Sequence, residues 1–302
     1  MVNWIIEVQL TINNEQFTKV LARISRVLRL FSTDSTIRGF FLLICQVMII
    51  ALLTDFGTKD YFVGAMKGAI LSIISNVQIV DITHEIEPQN ILSAGFTLFS
   101  VYKNFPAKTI FVVVVDPGVG SKRRAILVET ENYYFIAPDN GLLSLVFNDE
   151  NDFRVFELTN ENFFNHPISQ TFHGRDIFAP VAAWLSKGVK PSEFGREVTD
   201  FVKFEYSTPQ KISESEIEAE IIHIDHFGNL ITNIKQTDLS EKFILQINEK
   251  IISQNYKYYS EANLSEIFTI IGSVGFLEIV AFKDSAKKLL NAQIGQRIIL
   301  KL

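Results

Sequence analysis

TIFVVVVDPGVGSKRRAILVETENYYFIAPD, residues 109–139, contains three apolar runs separated by turn residues. Residues 110–115 carry no polar side chain, and four of the six are valine. β-Branched residues favour strands, and a strand apolar on both sides belongs in a sheet covered on both faces. Upstream, IIALLT and VQIVDIT are strand-like, while YFVGAMKGAILSIIS and NILSAGFTLFSVYKNF show helical apolar spacing. Downstream, DIFAPVAAWLSKG reads as a helix with Asp176 as its N-cap. Strands alternating with helices predict an α/β domain with a largely parallel central sheet over residues 48–205. The polar stretch YSTPQKISESE marks a linker, residues 206–216. Beyond it the strands are short and turn-separated, which predicts a smaller all-β barrel over residues 217–302.

Residues 1–47 differ from the rest. Phe17, Leu21, Ile24, Leu28 and Phe31 recur at spacings of three and four, in a basic amphipathic segment. They read as an extension outside the main fold, which begins near Met48. The run GFFLLICQVMIIALL, residues 39–53, is shorter than the ~20 apolar residues a spanning helix needs. Its second half, MIIALLTDFG, reads as a buried strand and a turn, so no membrane association is expected. A net charge of −6 argues against a nucleic-acid partner, which requires a basic face. Cys45 is the only cysteine, so neither an intrachain disulfide nor a zinc–cysteine cluster can form, and a reducing cytoplasm is the expected location.

In open α/β sheets, ligands bind beyond the carboxyl ends of the strands. Polar residues stand there repeatedly: Asp55 after IIALLT, Asp81 and His84 around VQIV, Asp116 after FVVVV, and Asp139 with Asn140 after YYFIAP. Asp and Asn are also ordinary turn formers, so each alone has a structural reading. Asp116-Pro117-Gly118 could cap a tight strand-to-strand turn. The alternative is that the loop doubles back and brings Arg123 or Arg124 to Asp116, holding the carboxylate ionised and oriented. TFHGRDIFAP, residues 171–180, adds His173, Arg175 and Asp176, and Gly174 allows close approach to the backbone. HIDHFGNLITN, residues 223–233, supplies Asp225, His226, Phe227 and Asn229, an amide and an aromatic face suited to a heterocycle. The histidines lack metal-site spacing, and GxxxxGK[ST], GxGxxG and GxSxG are absent, so no metal or nucleotide cofactor is expected.

The order LLTDFGTKDYFVGAMKG, IVDITHEI, VVVVDPGVGSKRRAI, YFIAPDNGLLS, TFHGRDIFAPVAAWL and HIDHFGNLITNI resembles the S-adenosyl-L-methionine (SAM) hydrolases, or SAM hydroxide adenosyltransferases, relatives of the fluorinases and chlorinases. The resemblance runs from about Ile49 to Leu302. It implies an α/β domain followed by a β-barrel, a homotrimer with active sites between subunits, and hydrolysis of SAM to adenosine and L-methionine without a cofactor. Carried over residue by residue, it implies Asp116, Arg123 and His173 as catalytic residues and Asp55 as the ribose holder. Asp60 and Asp225 become methionine contacts with Ser273 as a further one, and Phe227 and Asn229 lie on the adenine side. Gly174 stands where the fluorinase has a halide-binding serine, and Asp116 and His173 stand where the halogenases have tyrosines. A carboxylate repels a halide, so these residues favour water as nucleophile. GFLEIVAFKDSA, residues 275–286, departs from the family's Asn-rich continuation at Phe282, Lys283 and Asp284. The competing expectations are a halogenase-type adenosyltransferase, a non-catalytic SAM- or adenosine-binding module, and a metallohydrolase.

Overall fold

The computed structural model describes residues 47–240 and 242–302; the amphipathic segment around Phe17–Phe31 and Cys45 lie outside the described residues. Residues Ile49–Leu302 form one unit. Its first half is a six-stranded sheet in the order β2-β1-β3-β5-β4-β6. The strands are β1 (Ile49–Thr54), β2 (Gln78–Thr83), β3 (Ile110–Val114), β4 (Ala125–Thr130), β5 (Tyr134–Pro138) and β6 (Phe153–Glu157). β2, β1, β3 and β5 pair in parallel, and β4 runs antiparallel to both β5 and β6. The sheet is therefore mostly parallel, as the alternating pattern predicts.

Both faces of β3 are buried, which is why its sequence does not alternate. Phe111, Val113 and Val115 join one core with Ala51, Leu53, Ala94 and Leu98. Ile110, Val112 and Val114 point to the opposite face and are no more than 2% exposed. Helices cover both sides. α1 (Phe62–Ile73) buries Val63, Met66, Ala69 and Ile70, one stripe at helical spacing, and packs on α4 (Ala179–Ser186). α2 (Ile91–Val101) starts at Asn90, whose side chain accepts the Ser93 N–H at 2.9 Å, and packs with α3 (Ser144–Asp149).

The second half is a nearly closed antiparallel barrel in the order β11-β10-β14-β8-β9-β13-β12, with β7 added to β8. Its strands are β7 (Gln210–Lys211), β8 (Glu216–Ile224), β9 (Leu230–Lys235), β10 (Ile244–Ile247), β11 (Lys250–Ile252), β12 (Ile267–Ile271), β13 (Phe276–Ala281) and β14 (Arg297–Lys301). The short helix α5 (Ala286–Leu290) plugs its core through Ala286 and Leu290. β7 falls inside the stretch expected as a linker. The two halves meet through Phe96 of α2, which joins Ile231 and Phe276 of the barrel and stacks on His223 at 4.7 Å. Among the described residues no helix is long and apolar enough to cross a membrane.

Candidate active site

The strand order answers the question posed by Asp116. β5 lies between β3 and β4, so the chain after Val115 must cross the end of β5 before it enters β4. A tight strand-to-strand hairpin is excluded. Two turns shape the crossing, with Val119 N–H donating to the Asp116 carbonyl at 3.2 Å and Ser121 N–H to the Gly118 carbonyl at 3.1 Å. They return Arg123 to Asp116. Arg123 Nε donates to Asp116 Oδ1 at 3.0 Å and Oδ2 at 2.9 Å, and Nη2 donates to Oδ2 at 2.5 Å. The side chains are 9% and 5% exposed, so the pair is held largely out of water. Phe178 supports the guanidinium from the side at 5.3 Å. Arg124, by contrast, pairs with Asp139 and Asp200 and not with Asp116.

Arg123 Nη2 also lies 2.7 Å from His173 Nδ1. A guanidinium has only donors, so Nδ1 is the acceptor and the neutral ring carries its proton on Nε2. Burial, and then the Arg123 cation, hold the His173 pKa below the ordinary 6.5. His173 precedes a π turn, Gly174–Phe178, that leads into α4. Phe172 anchors this segment in an aromatic cluster with Phe56, Tyr61 and Phe62. Gly174 is buried there, and a Cβ would come within 3.2 Å of Met66 Sδ and 3.4 Å of the Phe172 and Phe56 rings. Tight packing thus gives Gly174 a structural role. Asp176 sits within the π turn and does not cap the helix. Its carboxylate accepts from Arg175 Nε at 2.6 Å and the Ser169 N–H at 2.9 Å.

Asp55 follows β1 as Asp116 follows β3, and the two strands are neighbours in register. The Asp55 Oδ2 accepts the Gln89 N–H at 2.8 Å. Asp60 is exposed, two residues before α1. The other flagged strand ends have structural partners. Asp139 Oδ1 accepts the Val202 N–H at 2.7 Å, and Asn140 Nδ2 donates to the Val115 carbonyl at 2.9 Å. Among the described residues no group of three His, Cys, Asp or Glu side chains gathers as a metal-ligand set.

In the barrel, Asp225 organises the turn between β8 and β9. Its Oδ1 accepts the N–H groups of Phe227 at 2.9 Å and Asn229 at 2.8 Å, and its Oδ2 accepts Asn229 Nδ2 at 2.8 Å. Phe227 is left 74% exposed at the tip. The unusual Phe282-Lys283-Asp284 segment supports this turn from below. Asp284 accepts from Ser265 Oγ and the Ser285 N–H, Lys287 N–H donates to the Gly228 carbonyl at 2.9 Å, and Ser285 packs against Gly228. Ser273 is exposed on the turn before β13. Glu278 of β13 lies against the adjoining Gly272, and burial, then the nearby Asp225 carboxylate, push its pKa up to about 7. The reading from residues alone passed over Glu278. Its signal was a carboxylate inside the apolar run FLEIVAF.

Asp116, Arg123 and His173 are therefore joined, and so are Asp225, Phe227 and Asn229. Within one chain no hydrogen bond among the described residues links the first group to the second.

Comparison with known proteins follows the same division. Residues 50–195 match the family model for the SAM hydroxide adenosyltransferase N-terminal domain, and residues 219–299 match that for the C-terminal domain. A Methanocaldococcus jannaschii protein named (R)-S-adenosyl-L-methionine hydrolase is 39% identical over 259 residues, covering 80% of this chain and 92% of its own. A fluorinase of Actinoplanes sp. is 30% identical over 219 residues, covering 64% and 74%. The crystal structure of an uncharacterized conserved protein from Thermotoga maritima superposes with a TM-score of 0.79 at 34% identity, covering 84% of this chain and all of that one.

Proposed function

We propose, from the premise that this chain belongs to the SAM hydroxide adenosyltransferase family, that it hydrolyses S-adenosyl-L-methionine to adenosine and L-methionine. The observation that carries the reading is the Asp116–Arg123–His173 chain of contacts at the carboxyl end of a central strand. SAM has a sulfonium leaving group on the ribose C5′. Water attacks C5′ in line, the C5′–S bond breaks, its electron pair stays on sulfur, and methionine departs. The enzyme supplies position and a proton acceptor. His173 Nδ1 is occupied by Arg123 and its Nε2 carries hydrogen, so the neutral ring orients water as a donor and cannot take its proton. Asp116 then accepts the proton at Oδ1, which takes only one of the Arg123 hydrogen bonds and so retains a lone pair.

Asp55 holds the ribose hydroxyls through charge-assisted bonds. Asp60, Asp225 and Ser273 take the amino-acid end, and Phe227 and Asn229 the adenine. That no hydrogen bond among the described residues links the two clusters within one chain is consistent with a site completed by a second subunit, in a homotrimer. A cytoplasmic location and independence from metal or cofactor belong to the same proposal. The relative's name further suggests the R epimer at sulfur as the preferred substrate.

Incubation with each SAM epimer, with and without fluoride or chloride, tests this reading. Adenosine and methionine are the expected products, unchanged by halide and by chelator, and Asp116→Ala lowers kcat by about a hundredfold or more. A halogenated nucleoside would establish the halogenase alternative. Tight SAM binding without turnover would establish the binding module.

A further inference from the structure

The end of β1 is tied to the end of β2 by a network that surrounds Asp55. Thr54, fully buried, places its Oγ1 2.8 Å from His84 Nδ1. The same oxygen accepts the Phe56 N–H at 3.2 Å, so its own hydrogen is free to donate to Nδ1. That leaves the proton of a neutral His84 on Nε2, 3.1 Å from Asp81 Oδ1, although the contact lies outside straight hydrogen-bond geometry. Asp81 is held in turn by Lys67 Nζ at 2.5 Å. The His84 backbone also takes part, its carbonyl accepting the Gly57 N–H at 2.7 Å. Gly57 has φ +67, a left-handed conformation that suits glycine.

Asp55 thus sits between three residues that His84 fixes directly or through Thr54. Its Oδ2 takes the Gln89 N–H, which comes from the same β2–α2 connection as His84. No protein donor among the described residues reaches its Oδ1. Nothing in the reaction proposed above uses His84, yet the residue is 4% exposed and its ring joins the Asp55 turn, through Thr54, to Asp81 of β2. We propose that His84 is a positioning residue for Asp55, aiming its carboxylate at the ribose hydroxyls through Thr54. This rests on the proposed ribose role of Asp55.

Binding of adenosine and of 2′,3′-dideoxyadenosine, measured calorimetrically on the full chain, separates positioning from general structure. His84→Ala is expected to weaken adenosine binding about tenfold, the effect of misaligning one charge-assisted hydrogen bond. It should leave dideoxyadenosine binding unchanged, because that ligand lacks the hydroxyls. His84→Asn, which retains an acceptor for Thr54, should recover most of the loss. Thr54→Val cuts the same link while filling the same space, and it serves if His84→Ala does not fold. A fall in binding of both nucleosides alike, or of neither, overturns the inference. Asp55→Ala in the same assay reports on the premise. If it leaves the preference for adenosine over dideoxyadenosine intact, the ribose role itself is wrong, a result distinct from failure of His84 alone.

Discussion

At the scale of single residues, function depends on where protons sit. His173 accepts from Arg123 only while Nδ1 is unprotonated, and burial with the Arg123 cation keeps its pKa below 6.5. Catalysis should therefore stay level as pH falls through 6.5 and decline only below it. A kcat/KM profile whose acid limb lies at or above 6.5 would contradict that assignment. Glu278 behaves in the opposite sense. Its pKa is about 7 in the folded chain against an ordinary 4.5, so between these values the folded state holds a proton the unfolded chain has lost. Its contribution to stability is complete below about pH 4.5 and declines as pH rises to about 7. Glu278→Gln should flatten that decline in thermal unfolding, and equal slopes in the two proteins would count against the assignment. The residue types at these sites were legible in the sequence. Their couplings were less so: Arg123 and Arg124 are equivalent as letters, and only the crossing over β5 sends one to Asp116 and the other to Asp139.

At the scale of elements, long apolar patterns were readable and short ones were not. β3 and α1 announce themselves because burial imposes a pattern over many residues. β11, with three residues, and α5, with five, are too short to show a period. The N-cap expected at Asp176 failed because packing of Phe172 and Gly174 against Met66 and Phe56 accompanies a π turn that starts at Gly174, three residues before a helix capped by Asp176 would begin. The departure at residues 282–284 likewise acquires a purpose, since this turn carries Ser285 beneath Gly228. Gly228 has φ +83, and a Cβ there would collide with the Ser285 side chain. Gly228→Ala should cost about 1–3 kcal/mol of stability and raise the KM for SAM by distorting the Asp225–Asn229 turn. Unchanged KM together with unchanged melting would show that the turn tolerates the shift.

At the scale of the whole molecule, α/β class and barrel were both legible, because periodicity changes sharply between the two halves. Quaternary structure was not legible from periodicity, since it resides in surfaces that no repeat reports. The proposed trimer divides each site between two chains, and this has a direct consequence. Asp116→Ala and Asn229→Ala proteins, each nearly inactive alone, should regain activity when unfolded together and refolded as mixed oligomers, because some sites then receive both intact halves. Mixtures no more active than their components would place each site within one chain.

The proposed reaction is attack of water on C5′ of the ribose. Turnover of SAM in water labelled with oxygen-18, followed by mass spectrometry of the products, tests it most directly. One labelled oxygen is expected on the 5′ carbon of adenosine and none in methionine, with the labelled product reduced about a hundredfold or more in Asp116→Ala. Unlabelled adenosine, or label entering methionine instead, would contradict it.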